Sequence, residues 1–297
     1  NDRGQAVEIR INKQVTIIGP GYFLGANQNT QASNLTASIQ DLNIGEGADG
    51  TTITGVDFSS RFSNIVINTE RFDGSRGNDG PSNISFIRNA IHIISIVDAT
   101  NTLISQNFFQ TSNSYVGLYA NAGGTIIRNN IISSSSSSGI YGWNNVNLSN
   151  TVIENNTIRG NISRINGATI QNNIFINGIF DDSDNNTVNN NLFTTTQDAV
   201  FPGNSTINDI SDNVYSAIIS DIFVVPSPSV DNEFRLAEDS PAVGQGVNGV
   251  DLGAFGGAAP YRLSGVPSIP AIYELSTTGV GTPSDGMRVQ IKARANN

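Results

Sequence analysis

Short apolar segments recur along the middle of the chain, and each is interrupted by an asparagine. The pattern is an apolar residue, two variable residues, Asn, one variable residue and a second apolar residue. It spans Phe86 to Ile91, Ile104 to Phe109, Ile127 to Ile132, Ile153 to Ile158, Ile170 to Phe175, Val188 to Phe193 and Ile210 to Tyr215. The central residues, at intervals of 18, 23, 26, 17, 18 and 22, are Asn89, Asn107, Asn130, Asn156, Asn173, Asn191 and Asn213. This recurrence predicts a repeat architecture with one unit per interval.

Each unit reads as short β-strands separated by turns. No apolar period of 3.6 residues is visible inside a unit, whereas β-branched residues cluster between Gly, Asn and Ser. A coil of three short strands fits this length, and equivalent residues of stacked coils then lie about 4.8 Å apart, as in a parallel sheet. Stacked asparagines donate side-chain N–H groups from coil to coil and satisfy inward polar groups. The sequence therefore predicts an all-β fold, a parallel β-helix (β-solenoid) with an asparagine ladder.

The repeat, over about residues 50–220, resembles the right-handed parallel β-helix of the pectate-lyase-like superfamily, whose turns often carry such ladders. The segment "SPAVGQGVNGVDLGAFGG", residues 240–257, resembles the SPAxGxG…DxGAFGG ending of many secreted bacterial β-helix proteins. With "IIGPGYFLGANQNTQ" and "PYRLSGVPSIPAIYEL", the chain is similar to a β-helix surface-protein family of the Bacteroidetes type. That family is largely without an assigned activity. The resemblance therefore implies secretion and an extracellular or cell-surface location, and no particular reaction.

Changes in pattern divide the chain into four regions. Residues 1–50 are predicted to form an N-terminal strand and an irregular first coil, 51–220 the regular coils, 221–266 a C-terminal closure, and 267–297 a tail with a terminal strand. The chain begins Asn-Asp-Arg, which indicates a processed form or a cut piece.

The tail has a clean two-residue period. Its apolar positions, alternating with Arg, Gln and Lys, are Met287, Val289, Ile291 and Ala293. Such a strand either folds back on its own chain or adds to the sheet of a neighbour. Addition to another copy is a head-to-tail contact, which builds a homo-oligomer or a filament.

Charge and composition restrict the possible partners. The net charge is −10, and no basic stripe is present, so nucleic acid is not expected as a partner. The same acidity disfavours an anionic glycan unless a cation mediates the contact. The apolar runs are shorter than the roughly 20 residues of a membrane helix, so membrane insertion is not expected. The absence of cysteine excludes disulfides and thiolate metal sites.

No catalytic residue can be assigned. β-Helix lyases need carboxylates that bind Ca²⁺ and a basic side chain, and the hydrolases need paired carboxylates. Arg88 and Arg128 lie just ahead of two repeat asparagines, where solvent-facing structural residues are expected. His92, the sole histidine, is expected on the surface, and it supports neither a catalytic triad nor a multi-histidine metal site.

Two groups of residues are candidates for binding. Asp181, Asp182 and Asp184 form either a solvated loop or a set of oxygen ligands for a cation such as Ca²⁺, although no cofactor is required. Tyr119 and Tyr141 are 22 residues apart and are predicted to stack on adjacent coils. With Trp143 they form either a structural aromatic stack or a platform for the sugar rings of a polysaccharide.

The sequence as a whole favours a secreted or cell-surface β-helix with a structural or adhesive role, self-assembling through its C-terminal strand. The alternatives are a polysaccharide lyase or hydrolase, whose residues cannot be placed, and a non-catalytic glycan-binding β-helix.

Overall fold

The computed structural model describes residues 8–61, 63–70, 77, 80–109, 113–119, 121–143, 148–225, 227, 229–284 and 286–295. The first seven residues of the predicted N-terminal region therefore lie outside the described part of the chain.

Parallel strands in three stacked rows form the body of the molecule. The first row contains β1 (Glu8–Ile11), β3 (Asp41–Ile44), β6 (Asn64–Ile67), β9 (Ile93–Ile96), β12 (Tyr115–Leu118) and β19 (Phe180–Asp181). The second row contains β2 (Thr16–Ile18), β4 (Thr52–Thr54), β7 (Ser85–Ile87), β10 (Leu103–Ser105), β13 (Ile126–Arg128), β15 (Val152–Glu154), β17 (Thr169–Gln171), β20 (Asn186–Asn189) and β22 (Ile207–Ser211). The third row contains β5 (Asp57–Phe58), β8 (Ala90–Ile91), β11 (Phe108–Phe109), β18 (Ile174–Ile176) and β21 (Leu192–Phe193).

Two long strands, β14 (Ile131–Gly142) and β16 (Thr157–Ser163), run from the third row into the first. They join those rows into one sheet of 13 described strands, and the second row forms a sheet of nine. The remaining strands, β23 (Ala271–Thr277) and β24 (Val289–Arg294), pair antiparallel as a hairpin. Single-turn helices lie at Gln197–Val200 (α1) and Ile219–Ile222 (α2), and 3₁₀ turns at Asn232–Phe234, Val247–Gly249 and Leu263–Gly265. The chain is thus all-β, with long parallel sheets arranged as a solenoid.

The core is a set of columns in which equivalent residues stack from coil to coil. In β4, β7, β13 and β15 of the second row the middle residue points inward, and its two neighbours are half-buried. One fully buried column consists of Ile53, Phe86, Ile104, Ile127, Ile153, Ile170 and Val188. Each such side chain contributes about 1.5–3 kcal/mol on burial, so the column fixes the register of the parallel strands.

Asparagines at the turn between the second and third rows are hydrogen-bonded to one another along the solenoid. The backbone N–H of Asn107 donates to Oδ1 of Asn130 at 2.8 Å, and the side-chain amide of Asn107 donates to the same oxygen at 3.0 Å. Nδ2 of Asn130 also donates to the carbonyl oxygen of Ile104 at 2.9 Å. The same backbone and side-chain bonds link every successive pair from Asn89 to Asn213.

The residue before each of these asparagines adopts a left-handed backbone. Their φ angles lie between 49° and 60° at Arg88, Gln106, Asn129, Asn155, Asn172, Asn190 and Asp212. Asparagine and aspartate tolerate this conformation better than most residues, which accounts for the paired Asn in "RNN" and "QNN". The left-handed residue directs the chain from one row of strands to the next.

A C-terminal strap, residues 245–268, runs back along the outside of the third row. The side chains of the left-handed turn residues bind its backbone in order, which places its two ends at opposite ends of the solenoid. The bonds join Asn190 to Gln245, Asn172 to Val247, Asn155 to Asp251, Asn129 to Ala254 and Gly256, Gln106 to Ala259, and Arg88 to Val266. The predicted C-terminal closure, residues 221–266, therefore lies along the side of the solenoid.

A second hydrophobic cluster lies between the third row and the C-terminal region. Outward side chains of the third row, such as Phe108 and Leu192, belong to this cluster together with Phe234 and with Leu252 of the strap. Gly253 suits this contact, because its backbone is left-handed with φ 81° and a Cβ atom would lie 2.6 Å from Cδ1 of Ile174. The strands of the third row are consequently buried on both faces.

Two sequence expectations about exposure are wrong. His92 is only 7% exposed, and its Nδ1 lies 3.1 Å from the carbonyl oxygen of Ser63. Alternation with Ile91 and Ile93 in a single strand would point His92 outward, but the chain turns between β8 and β9 at this residue. Burial lowers the pKa of His92. Arg88 is 9% exposed because the strap covers it, and Arg128 is half-buried.

Candidate binding surface

Three half-buried tyrosines and one exposed tryptophan form a group on the outer face of the first row. The rings of Tyr119 and Trp143 stack with centroids 5.7 Å apart and an interplanar angle of 27°. Tyr141 meets Trp143 edge-on, with centroids 6.3 Å apart and an angle of 72°. Trp143 remains 48% exposed, so its ring is open to solvent. We call Tyr115, Tyr119, Tyr141, Trp143 and Arg164 the aromatic patch.

Strand register explains which rings meet. In the pairing of β12 with β14, Gly117 lies opposite Tyr141, and the N–H of Trp143 donates to the carbonyl oxygen of Leu118. The prediction that Tyr119 and Tyr141 stack on adjacent coils is therefore wrong in its pairing. The partner of Tyr119 is Trp143, because this coil contains 24 residues between equivalent positions rather than 22.

Gly117 forms the floor between two of the tyrosines. A Cβ atom at this position would lie 2.9 Å from Cε2 of Tyr119 and 3.2 Å from Cε2 of Tyr115. Both rings therefore cover the backbone of β12 at Gly117, which has no side chain. The neighbouring strands place the small residues Ser95 and Ser163 in line with Gly117 and Tyr141. The patch is thus built from alternate outward positions of adjacent strands.

The positively charged guanidinium group of Arg164 lies at one side of the patch. Nη1 of Arg164 donates to the hydroxyl of Tyr141 at 2.7 Å, and its Cζ lies 5.6 Å from the centroid of that ring. Nε of Arg164 forms an ion pair of 3.5 Å with Asp182. These contacts orient Tyr141 and place a guanidinium group beside its half-buried ring, an arrangement that suits a ligand with both apolar faces and hydroxyl groups.

The tyrosine hydroxyls of the patch are close to one another. Burial, and next the neighbouring hydroxyl of Tyr119, raise the pKa of Tyr115. Tyr115 is therefore a neutral phenol at physiological pH, able both to donate and to accept a hydrogen bond. The sequence reasoning missed Tyr115 and Arg164. Alternate residues of a strand point to the same face, so "YVGLY" places Tyr115, Gly117 and Tyr119 on one face. This alternation could have identified Tyr115 from the sequence.

The acidic run at 181–184 does not converge on one point. Oδ1 of Asp181 accepts from Nδ2 of Asn204 at 2.7 Å, and Oδ1 of Asp184 accepts from the backbone N–H of Thr206 at 2.7 Å. Asp182 pairs with Arg164, as described above. Among the residues that the structure describes, no three acidic or imidazole side chains are grouped so that they could hold a metal ion.

The predicted self-assembly strand is paired within its own chain. Val289, Ile291 and Ala293 lie on β24, opposite Thr277, Leu275 and Ile272 of β23. Every residue of β24 is exposed, and Met287 just before it is 54% exposed. The alternative in which the tail folds back is thus the one observed, and the hairpin presents apolar side chains to solvent.

Comparisons with protein-family models, with curated proteins and with solved structures find no match to this chain. In the described part of the chain, no helix is long and apolar enough to span a membrane.

Proposed function

We propose that this protein is a secreted or cell-surface β-solenoid with an adhesive role, which binds a glycan through the aromatic patch. The observation that carries the proposal is the stacked pair of half-buried Tyr119 and exposed Trp143, with Arg164 and Tyr141 beside it. Aromatic faces pack against the C–H groups of sugar rings, and flanking polar groups bind sugar hydroxyls.

Rigidity of the platform supports this proposal. Tyr119 and Trp143 directly follow β12 and β14, which are hydrogen-bonded on both sides, and the hydroxyl of Tyr141 accepts a hydrogen bond from Arg164. A side chain that is already ordered loses little conformational entropy when a ligand binds. A solenoid is also an extended scaffold, which suits presentation of a binding surface away from an attachment point.

The proposal includes a right-handed winding of the coils and a ladder role for the stacked asparagines. Parallel strands joined by crossovers are right-handed in about 98% of cases. The hydrogen bonds between successive asparagines support a ladder that keeps the coils in register. The resemblance to secreted β-helix proteins supports the extracellular location.

Binding to an array of neutral and acidic oligosaccharides tests the proposal. The probes are oligomers of glucose, xylose, mannose, galactose and N-acetylglucosamine, with uronate-containing chains alongside. We expect at least one probe to bind, and we expect Trp143→Ala to weaken that binding at least about tenfold, as the loss of an aromatic anchor typically does.

The matched control is Tyr273→Ala, which truncates an aromatic side chain on β23. It should leave the affinity unchanged. If no oligosaccharide binds, or if both variants weaken binding equally, the aromatic patch is not a glycan site.

A further inference from the structure

A cavity of about 1060 Å³ lies where the strap ends against the first coils. Its walls come from separate parts of the chain: the loop at 26–30, the turn at Arg88, Val224 and the segment at 232–236, the strap, and the end of β24. Ligand pockets commonly have volumes of about 300–1,000 Å³, so this cavity is large enough for a small organic molecule.

Four of the described residues that line this cavity are arginines. They are Arg88, Arg235, Arg262 and Arg294, and among the same described residues Asp251 is the one with an acidic side chain. One oxygen of Asp251 accepts the backbone N–H of Gly244 at 2.9 Å. The whole chain has only 15 lysines and arginines and a net charge of −10, so four arginines around one cavity depart from its overall composition.

Arg88 is held rigidly at this place. Its Nε donates to Oε1 of Gln106 at 2.6 Å, and its Nη1 donates to the carbonyl oxygen of Val266 at 3.1 Å and to Oγ of Ser268 at 2.8 Å. Its backbone is left-handed, with φ 60°, and later coils use neutral Gln or Asn at the equivalent turn to bind the strap. Binding of the strap therefore does not by itself require a guanidinium group here.

Arg88 and Arg262 are close enough to repel one another. Burial, followed by the positive charge of Arg262, lowers the pKa of Arg88. An anion between these two groups would offset both the burial and the repulsion. Arg235 lies with Cζ 5.8 Å from the ring centroid of Phe255, which also lines the cavity. Charged and aromatic groups therefore face the same space.

The wall behind the cavity is a closed hydrogen-bond network. The buried carboxylate of Asp231 accepts from Nδ2 of Asn27 at 2.9 Å and from the N–H of Ser264 at 2.7 Å. The hydroxyls of Tyr22 and Tyr261 lie 2.6 Å apart. These bonds join the loop at 26–30 to the end of the strap and preorganise the cavity.

We propose that this cavity binds a small organic polyanion, whose carboxylate, sulfate or phosphate groups pair with the arginines. A guanidinium group presents its donors in a planar fork that matches the oxygens of all three anions. An anion with two or more such groups can contact several of the four arginines at once. This site is separate from the aromatic patch, and it does not depend on the proposed glycan binding.

Titration calorimetry on the full chain tests this proposal with three probes: a glucuronate-containing disaccharide, a sulfated disaccharide and inorganic pyrophosphate. We expect at least one of them to bind with one-to-one stoichiometry, and the affinity to fall as salt is raised. The probe that binds identifies the anionic group.

Arg235→Gln is the test variant, because Arg235 is exposed and its replacement should not disturb folding. We expect it to weaken binding at least about tenfold, as the loss of a charge-assisted hydrogen bond does. Arg159→Gln, at an exposed arginine of β16 that does not line the cavity, removes the same charge and should leave the affinity unchanged. If none of the probes binds, or if the two variants have equal effects, the proposal is wrong.

Discussion

Two adjacent positions at the turn after β13 have different physical requirements, and asparagine meets both. Asn129 has a left-handed backbone with φ 52°, and its side chain binds the strap. Asn130 lies fully buried inside the solenoid, where its amide makes four hydrogen bonds, two as acceptor and two as donor. The first position needs tolerance of positive φ, and the second needs a donor and an acceptor on one short side chain.

Asn130→Ala tests the second requirement. The change leaves the backbone N–H of Asn107 and the carbonyl oxygen of Ile104 without these partners at a buried position. A buried polar group left unsatisfied costs about 1–3 kcal/mol, so we expect the free energy of unfolding in urea to fall by roughly 2–4 kcal/mol. Asn113→Ala, at an exposed asparagine, should change it by less than about 0.5 kcal/mol. Equal losses in the two variants would show that the stacked amides do not stabilise the coil.

At the scale of elements, the strap is the feature that the repeat does not reveal. The pattern of seven asparagines predicts the stacked strands and places the residues that are hydrogen-bonded along the solenoid. Burial of the outward side chains of the third row is harder to predict. Phe108 and Phe109, like Ile131 and Ile132, are adjacent apolar residues, and the sequence does not show that both are buried. Such a pair is buried on both faces when a distant segment covers the outer residue. The local sequence pattern cannot indicate which segment covers the outer residue, because the strap lies more than 100 residues after Phe108 in the chain.

The two candidate sites also differ in how far the sequence predicts them. The aromatic residues were identifiable because they lie near one another in the repeat, although a coil of 24 residues changed the partner of Tyr119. The arginine-lined cavity joins residue 26 to residue 295, and contacts of that range depend on the path of the strap. Its arginines are scattered in the sequence, so composition alone gave no sign of them.

The contact between the strap and the N-terminal loop should be sensitive to alkaline pH. Burial raises the pKa of Tyr22 and of Tyr261 well above the ordinary value of 10.0. The folded protein therefore holds these protons more tightly than the unfolded chain, and the resulting stability is complete below pH 10 and is lost as the pH rises above it.

We expect the free energy of unfolding to be constant between about pH 7 and pH 9 and to fall above about pH 10, by up to 1.4 kcal/mol per pH unit for each tyrosine. The double variant Tyr22→Phe/Tyr261→Phe should have a smaller slope, which urea unfolding at several pH values measures. A slope identical to that of the unmodified chain would contradict this assignment.

At the scale of the whole molecule, the solenoid and the hairpin are stabilised differently. The solenoid has a continuous buried core, whereas β24 has no buried residue. Two-stranded hairpins are marginally stable on their own, and this one exposes Ile272, Leu275, Val289 and Ile291. The hairpin is therefore the part of the described chain best suited to association with a second copy, which remains a proposal.

Deletion of residues 286–297 tests that proposal. We expect the shortened chain to keep the unfolding temperature of its solenoid within a few degrees, because β24 adds no core contacts. Sedimentation velocity and electron microscopy should show association of the full chain at high concentration and its loss on deletion. Val289→Ser/Ile291→Ser keeps the strand but removes its apolar face, and so separates apolar contact from strand exchange. If the full chain stays monomeric throughout, assembly through the tail is wrong.

The central claim is that a sugar ring lies against the aromatic patch, and the fluorescence of Trp143 tests it most directly. Trp143 is the only tryptophan, so the tryptophan emission of the protein, excited selectively at wavelengths that tyrosine does not absorb, comes from the patch alone. Titration with the best-binding oligosaccharide should shift the emission to shorter wavelength and protect it from quenching by acrylamide, with saturation at the affinity measured by calorimetry. An oligosaccharide that binds by calorimetry and leaves the emission and its quenching unchanged would contradict the claim.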